Sequence, residues 1–277
     1  MTARESLATC SEALYEEPSD VEAVDIDLAV PVDGDVWGSV HSWDVSIGVD
    51  GPGSRFVMFL AGCPLRCLYC HNPDTWQMRS GQRRSAADLI EQVRPFARFI
   101  SVAGGGVTAS GGEPLLQSHF VTEFFRGCKE LGLHTALDTS GFLGARASDE
   151  LLDLTDLVLL DIKSYDPDTY RQVTSGEVAP TLRFAQRLAE RGNRMWIRFV
   201  LVPGLTDAVD NVEGIARFTA SLGDAVERVE VLPFHRLGAA KYEALGLRFP
   251  LADTLPPDDG LLARVHAQFR HYGLATY

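Results

Sequence analysis

The stretch Arg55-Phe56-Val57-Met58-Phe59-Leu60-Ala61-Gly62-Cys63-Pro64-Leu65-Arg66-Cys67-Leu68-Tyr69-Cys70-His71-Asn72 joins two signals. Its first seven residues are a short, mostly apolar run that reads as a buried strand. A loop follows with three cysteines at C-x3-C-x2-C spacing. Three thiols this close, with no fourth beside them, suit a 4Fe–4S cluster, which takes one ligand per iron. One iron is then left open to hold a substrate or cosubstrate. Structural zinc is the alternative, but it usually takes a second Cys or His pair. Neither Cys10 nor Cys128 has a partner at short spacing. The odd cysteine count and the lack of a basic-then-apolar start in Met1–Glu5 argue against a disulfide framework.

Working outward, Gly38–Ile47 alternates polar with small or apolar residues and reads as a strand or hairpin arm, and Asp50-Gly51-Pro52-Gly53 as a turn. Downstream, strands are expected at 106–110, 134–138, 157–163, 195–202 and 226–234. Helices are expected at 85–99, 117–131, 148–154, 180–191, 207–222 and 259–272. Six strand-then-helix units make the chain α/β, with a parallel sheet curled into a partial (β/α)6 barrel; a full barrel has eight units. Cys63, Glu113, Asp138, Lys163, Pro203-Gly204 and His235 all fall at or just past strand C-terminal ends, the rim where barrel active sites form.

The 277 residues, 45% hydrophobic and 23% charged, have ordinary globular composition. No apolar run reaches the ~18 residues of a membrane span. The charge of −13 is uneven: residues 1–36 hold ten acids against the single base Arg4, and so carry −9 of it. That stretch reads as a disordered acidic leader before one domain at 37–277. The acidic balance argues against a nucleic-acid partner, which would need a basic face. A cytoplasmic monomer with reduced thiols is expected.

Several phrases beyond the cysteines carry a resemblance. They are Val49 to Arg55, Ser101 to Glu113, Asp138-Thr139-Ser140-Gly141, Asp161-Ile162-Lys163, Trp196 to Val200 and Leu232-Pro233-Phe234-His235. From about Gly38 to Tyr277 the chain resembles the radical S-adenosylmethionine enzymes. Within them it is similar to the pyruvate formate-lyase activating enzymes, the glycyl-radical-enzyme activating family. The resemblance implies that Cys63, Cys67 and Cys70 hold a 4Fe–4S cluster whose open iron chelates S-adenosylmethionine. Reductive cleavage of that cosubstrate then removes a hydrogen from a glycine Cα of a partner enzyme, leaving a glycyl radical.

By the same resemblance, Tyr69, Cys70, His71, Gly111, Gly112, Glu113, Asp161, Ile162, Lys163, Arg198 and His235 surround the cosubstrate. Asp138, Thr139, Leu159 (through its carbonyl) and Asp161 hold a monovalent cation, sodium or potassium. Asp50 helps receive the partner's glycine-bearing loop, and reduced flavodoxin or ferredoxin donates the electron. Many activases of other glycyl-radical enzymes carry a second set of cysteines after the first motif. Only Cys128 follows Cys70 here, which favours the formate-lyase type. The alternatives are an activase of a different glycyl-radical enzyme, a radical enzyme on a small molecule, and a non-catalytic metal-binding module.

Overall fold

Six short strands lie side by side in parallel, and central ones such as Leu157–Asp161 and Met195–Leu201 are apolar and buried along most of their length, as strands covered on both faces are. The computed structural model describes residues 35–277. The acidic leader expected at 1–36 therefore lies outside the described residues, apart from Asp35 and Val36. The parallel strands are β2 (Ser54–Leu60), β4 (Gly106–Gly111), β5 (His134–Thr139), β6 (Leu157–Asp161), β7 (Met195–Leu201) and β8 (Val226–Pro233). Two more, β1 (Trp37–Ile47) and β3 (Gln82–Ser85), add antiparallel at one edge. The order is β3-β1-β2-β4-β5-β6-β7-β8. The sheet thus has six parallel strands, as expected of a partial barrel, and two extra strands. Backbone bonds from Val229 to Ala275 and from Val231 to Tyr277 cover the free edge of β8.

Eight α-helices are present among the described residues. They are α1 (Ala86–Val102), α2 (Ser118–Glu130), α3 (Asp149–Asp153), α4 (Pro167–Thr174), α5 (Ala179–Arg191), α6 (Val209–Ser221), α7 (Ala239–Ala244) and α8 (Asp259–His271). Ser85 caps α1 by accepting from the Asp88 amide, and Ser148 caps α3 in the same way. Helices α4 and α7 and strand β3 were not expected from the sequence. No helix among the described residues is long and apolar enough to cross a membrane.

Strand alternation divides the buried residues into two sets. Leu137, Val158, Leu160, Ile197 and Phe199 face the helices and belong to the main core. Their neighbours Ala136, Leu157, Leu159 and Trp196 form a separate small cluster. One step further along the same faces come Asp138, Asp161 and Arg198, which line a cavity. The apolar cluster is its floor.

Below that floor, the strand N-terminal ends hold Arg55, which is fully buried. Its Nη1 lies 3.0 Å from His134 Nδ1. Burial first, and the Arg55 charge second, hold the His134 imidazole below its usual pKa of 6.5. The unfolded chain takes up a proton near that value and the folded chain resists it. Stability is therefore lost as the pH falls below 6.5. His134→Gln keeps an acceptor but cannot titrate, so its thermal midpoint is expected to fall less steeply with acid than that of the unsubstituted protein. Parallel curves would show that His134 does not cause the slope.

Candidate active site

The cysteine loop leaves β2 through Gly62, whose φ of +93° is a conformation that favours glycine. The loop is held by main-chain bonds. Gly62 N donates to Thr75 O (2.7 Å) and Cys63 N to Trp76 O (3.0 Å). Arg66 N and Leu68 N donate to Thr174 O and Val173 O, both at 2.9 Å, at the end of α4. From the other side, Gly238 lies so close that a Cβ there would come within 2.8 Å of Cys70 O. In α7, the buried Tyr242 places its hydroxyl 3.5 Å from Cys67 O. The two helices that hold the loop are the two that sequence reading missed.

The segment Gly111-Gly112-Glu113 lies alongside. Gly112 N donates to Leu60 O and Glu113 N to Gly62 O, both at 2.8 Å. Glu113 is buried, and its carboxylate accepts from the Thr139 hydroxyl (2.6 Å), the Leu115 amide (3.1 Å) and both the amide and hydroxyl of Ser140. Burial pushes its pKa up, and these bonds oppose the shift. Both oxygens are committed to protein donors, so what this segment offers a ligand is backbone.

Charge is paired in the layer above the apolar floor. Asp161 Oδ2 lies 2.8 Å from Lys163 Nζ, which sits over the Tyr69 ring at 5.8 Å. Burial works against the Lys163 charge, yet Asp161 and the neighbouring Tyr69 and Cys67 hold its pKa well above the usual value. Arg198 reaches Asp138 Oδ1 (3.3 Å), Glu230 Oε2 (3.1 Å) and the Val49 carbonyl. Asp138 also accepts from Ser110 at 2.6 Å. Burial raises the Asp138 pKa and Arg198 opposes it. The His71 and His235 rings lie 4.2 Å apart, tilted by 36°, and burial together with the His235 charge lowers the His71 pKa to about 4.

One cavity of about 590 Å³ joins these groups. It is lined by Cys63, Cys67, Cys70, Tyr69, His71, Gly111, Gly112, Glu113, Asp138, Thr139, Asp161, Lys163, Arg198, His235 and Asp50. Ile162 packs in the main core and Leu159 in the floor, so neither side chain reaches the cavity. Pro203-Gly204, expected at the rim, is a separate turn capped by Asp207. The sequence reading missed Ser110, Ser140, Val200, Glu230 and Tyr277, which also line the cavity. Glu230 stands opposite Arg198 in the β7–β8 register, a pairing that only the fold reveals.

The donor set fits an iron–sulfur cluster. All three thiols are free and face the cavity. Burial raises each thiol pKa, that of Cys67 to about 12, so deprotonation needs metal charge beside them. Among the described residues, no three His, Cys, Asp or Glu side chains converge on a single-ion site. The Tyr69 hydroxyl is buried at the cavity without a hydrogen-bond partner, as if awaiting a ligand.

A cavity with this donor set at the rim of six parallel strands defines a radical S-adenosylmethionine protein, and the Radical SAM superfamily profile matches residues 57–218. The chain is 42% identical to the pyruvate formate-lyase 1-activating enzyme of Escherichia coli over 86% of this chain and 97% of that one. It is 43% identical to the pyruvate formate-lyase-activating enzyme of Staphylococcus aureus over 80% and 91%. A crystal structure of a domain of such an enzyme from Bacteroides vulgatus has a TM-score of 0.52 at 26% identity, covering 62% of this chain and 98% of that one. Streptococcus suis SuiB bound to precursor peptide SuiA has a TM-score of 0.61 at 16% identity, covering 82% and 49%, which shows a shared fold. The chain belongs to the Radical SAM superfamily and, within it, to the family of pyruvate formate-lyase activating enzymes.

Proposed function

We propose that this chain activates pyruvate formate-lyase by taking a hydrogen atom from the Cα of one glycine, leaving a glycyl radical. The observation that carries this is the single cavity in which three free cysteines meet the Gly111–Glu113 backbone, Lys163, His235 and Asp50. Its volume falls in the range of cofactor-sized pockets.

Cys63, Cys67 and Cys70 would hold a 4Fe–4S cluster, which with S-adenosylmethionine supplies the one-electron chemistry that ends in hydrogen removal. The backbone of Gly111 and Gly112 can approach the methionyl end because no Cβ intervenes. Lys163 offers a buried ammonium to a carboxylate or ribose hydroxyl. Tyr69, His71 and His235 supply flat faces and polar edges for the adenosyl group. Ile162 would contribute through its backbone. Arg198, fixed by Asp138 and Glu230, sets the charge of the cavity wall above the apolar floor. Asp50 would receive the partner's glycine loop, and reduced flavodoxin or ferredoxin would donate the electron. The domain at 37–277 is read as acting as a cytoplasmic monomer, with the acidic segment before it as an appendage.

The test is isotopic. Formate-lyase made with α-deuterated glycine should pass deuterium to 5′-deoxyadenosine, read by mass spectrometry. Undeuterated product alongside an activated partner would contradict the proposal.

A monovalent cation, sodium or potassium, is proposed at Asp138, Thr139, the Leu159 carbonyl and Asp161. Support comes from two carboxylates at the ends of neighbouring strands, where Asp138 stands opposite Leu159. Such a pair is eased by positive charge. Asp161→Ala should weaken S-adenosylmethionine binding and abolish its dependence on the alkali ion, in titrations run in sodium and in potassium salts. Equal affinities for both proteins in both salts would count against the site.

A further inference from the structure

Arg55 is a fully buried guanidinium, and no carboxylate of the described residues lies within ion-pair distance of it. Breaking or omitting the partner of a buried charge is costly, so what this one holds in place is informative. Its Nε donates to the Thr108 hydroxyl at 3.0 Å. Having accepted there, Thr108 has one proton to give, and it donates that proton to the Asp50 carbonyl at 2.7 Å. The turn rests directly on this pair. Gly51 has φ +117°, and a Cβ there would lie 3.4 Å from Arg55 Nε. The preceding carbonyl, Val49, is held by Arg198. Two consecutive carbonyls are thus fixed from different strands, one from β4 by Thr108 and one from β7 by Arg198. Between them they set where the Asp50 side chain stands at the cavity.

We propose that Arg55 and Thr108 are positioning residues for partner recognition: by fixing the Asp50 backbone they present its carboxylate to the backbone amides of an extended, glycine-bearing segment. This rests on the reading of Asp50 as the receiver of that segment. Neither Arg55 nor Thr108 lines the cavity, so cosubstrate binding and cleavage should not sense them.

The experiment uses the full reconstituted chain with formate-lyase as partner and compares Thr108→Val, Thr108→Ser, Gly51→Ala and Asp50→Asn. Thr108→Val removes the bond to Asp50 at nearly constant volume. Its KM for the partner is expected to rise about tenfold, the scale of one lost hydrogen bond, with kcat little changed. Iron content and partner-free 5′-deoxyadenosine production should stay at the unsubstituted level. Thr108→Ser should restore KM. Gly51→Ala, which strains the turn and sets a methyl against Arg55 Nε while leaving the Thr108 hydroxyl in place, should raise KM likewise, and it decides the matter if Thr108→Val does not fold. An unchanged KM in the folded Thr108→Val or Gly51→Ala protein, while Asp50→Asn raises it, would overturn this inference alone. Asp50→Asn without effect would remove the Asp50 reading and this inference with it.

Discussion

Cys67→Ala is expected to abolish cluster assembly and all cleavage of S-adenosylmethionine, while leaving the fold intact. The Cys67 thiol lines the cavity, and burial keeps it protonated unless metal charge is present. No other described cysteine can take its place. Cys128, the only described one outside the motif, is enclosed in the main core on α2. The loop keeps its shape without the sulfur, because main-chain bonds from Gly62, Cys63, Arg66 and Leu68 hold it. The loss in stability should therefore stay within about 1 kcal/mol. Iron content, visible absorption and 5′-deoxyadenosine yield report the first half of this prediction, and thermal unfolding of the apoprotein reports the second. Cys128→Ala is the control and should keep its iron. Wild-type iron content in Cys67→Ala would show that the cluster ligands were misassigned.

Gly112→Ala should lower both stability and iron content. A Cβ at Gly112 would lie 2.2 Å from Gly62 O and 3.2 Å from Thr75 O. These are backbone atoms, which cannot rotate away as a flexible side chain can. The two loops would have to separate, weakening the bond from Glu113 N to Gly62 O that ties them. Overpacking of this kind costs about 1–3 kcal/mol. Each kcal/mol lowers the thermal midpoint by about 2–4 °C in a domain of this size. Gly260→Ala, in α8 with only the Asp258 carboxylate near at 3.4 Å, should be neutral or stabilising by about 0.5–1 kcal/mol. Similar midpoints for the two variants would refute the steric account.

The six parallel strands were legible because buried runs such as Leu157–Asp161 and Met195–Leu201 are apolar almost throughout. Strand β3 was not. It is Gln-Arg-Arg-Ser, an exposed edge strand that exists only because β1 pairs with it. Helix α4 was not expected either, although Asp166 as its cap and Pro167 at its first position mark its start. Helix α7 has six residues and too few turns to show a periodic face.

The cysteines, the glycine run and the strand-end charges could be read as a site because each stands beside a recognisable strand end. The partners of those charges could not be read the same way. That Glu113 is consumed by Thr139 and Ser140, or that Glu230 clamps Arg198, depends on which strands become neighbours and in what register. A linear sequence does not display that pairing.

The central claim is that these residues together generate a radical on a partner glycine. Electron paramagnetic resonance of the anaerobically reconstituted chain, mixed with S-adenosylmethionine, a reductant and formate-lyase, tests it most directly. The account predicts a glycyl-radical signal that grows with 5′-deoxyadenosine and is absent with Cys67→Ala. Cosubstrate cleavage without any glycyl signal on the formate-lyase would contradict it.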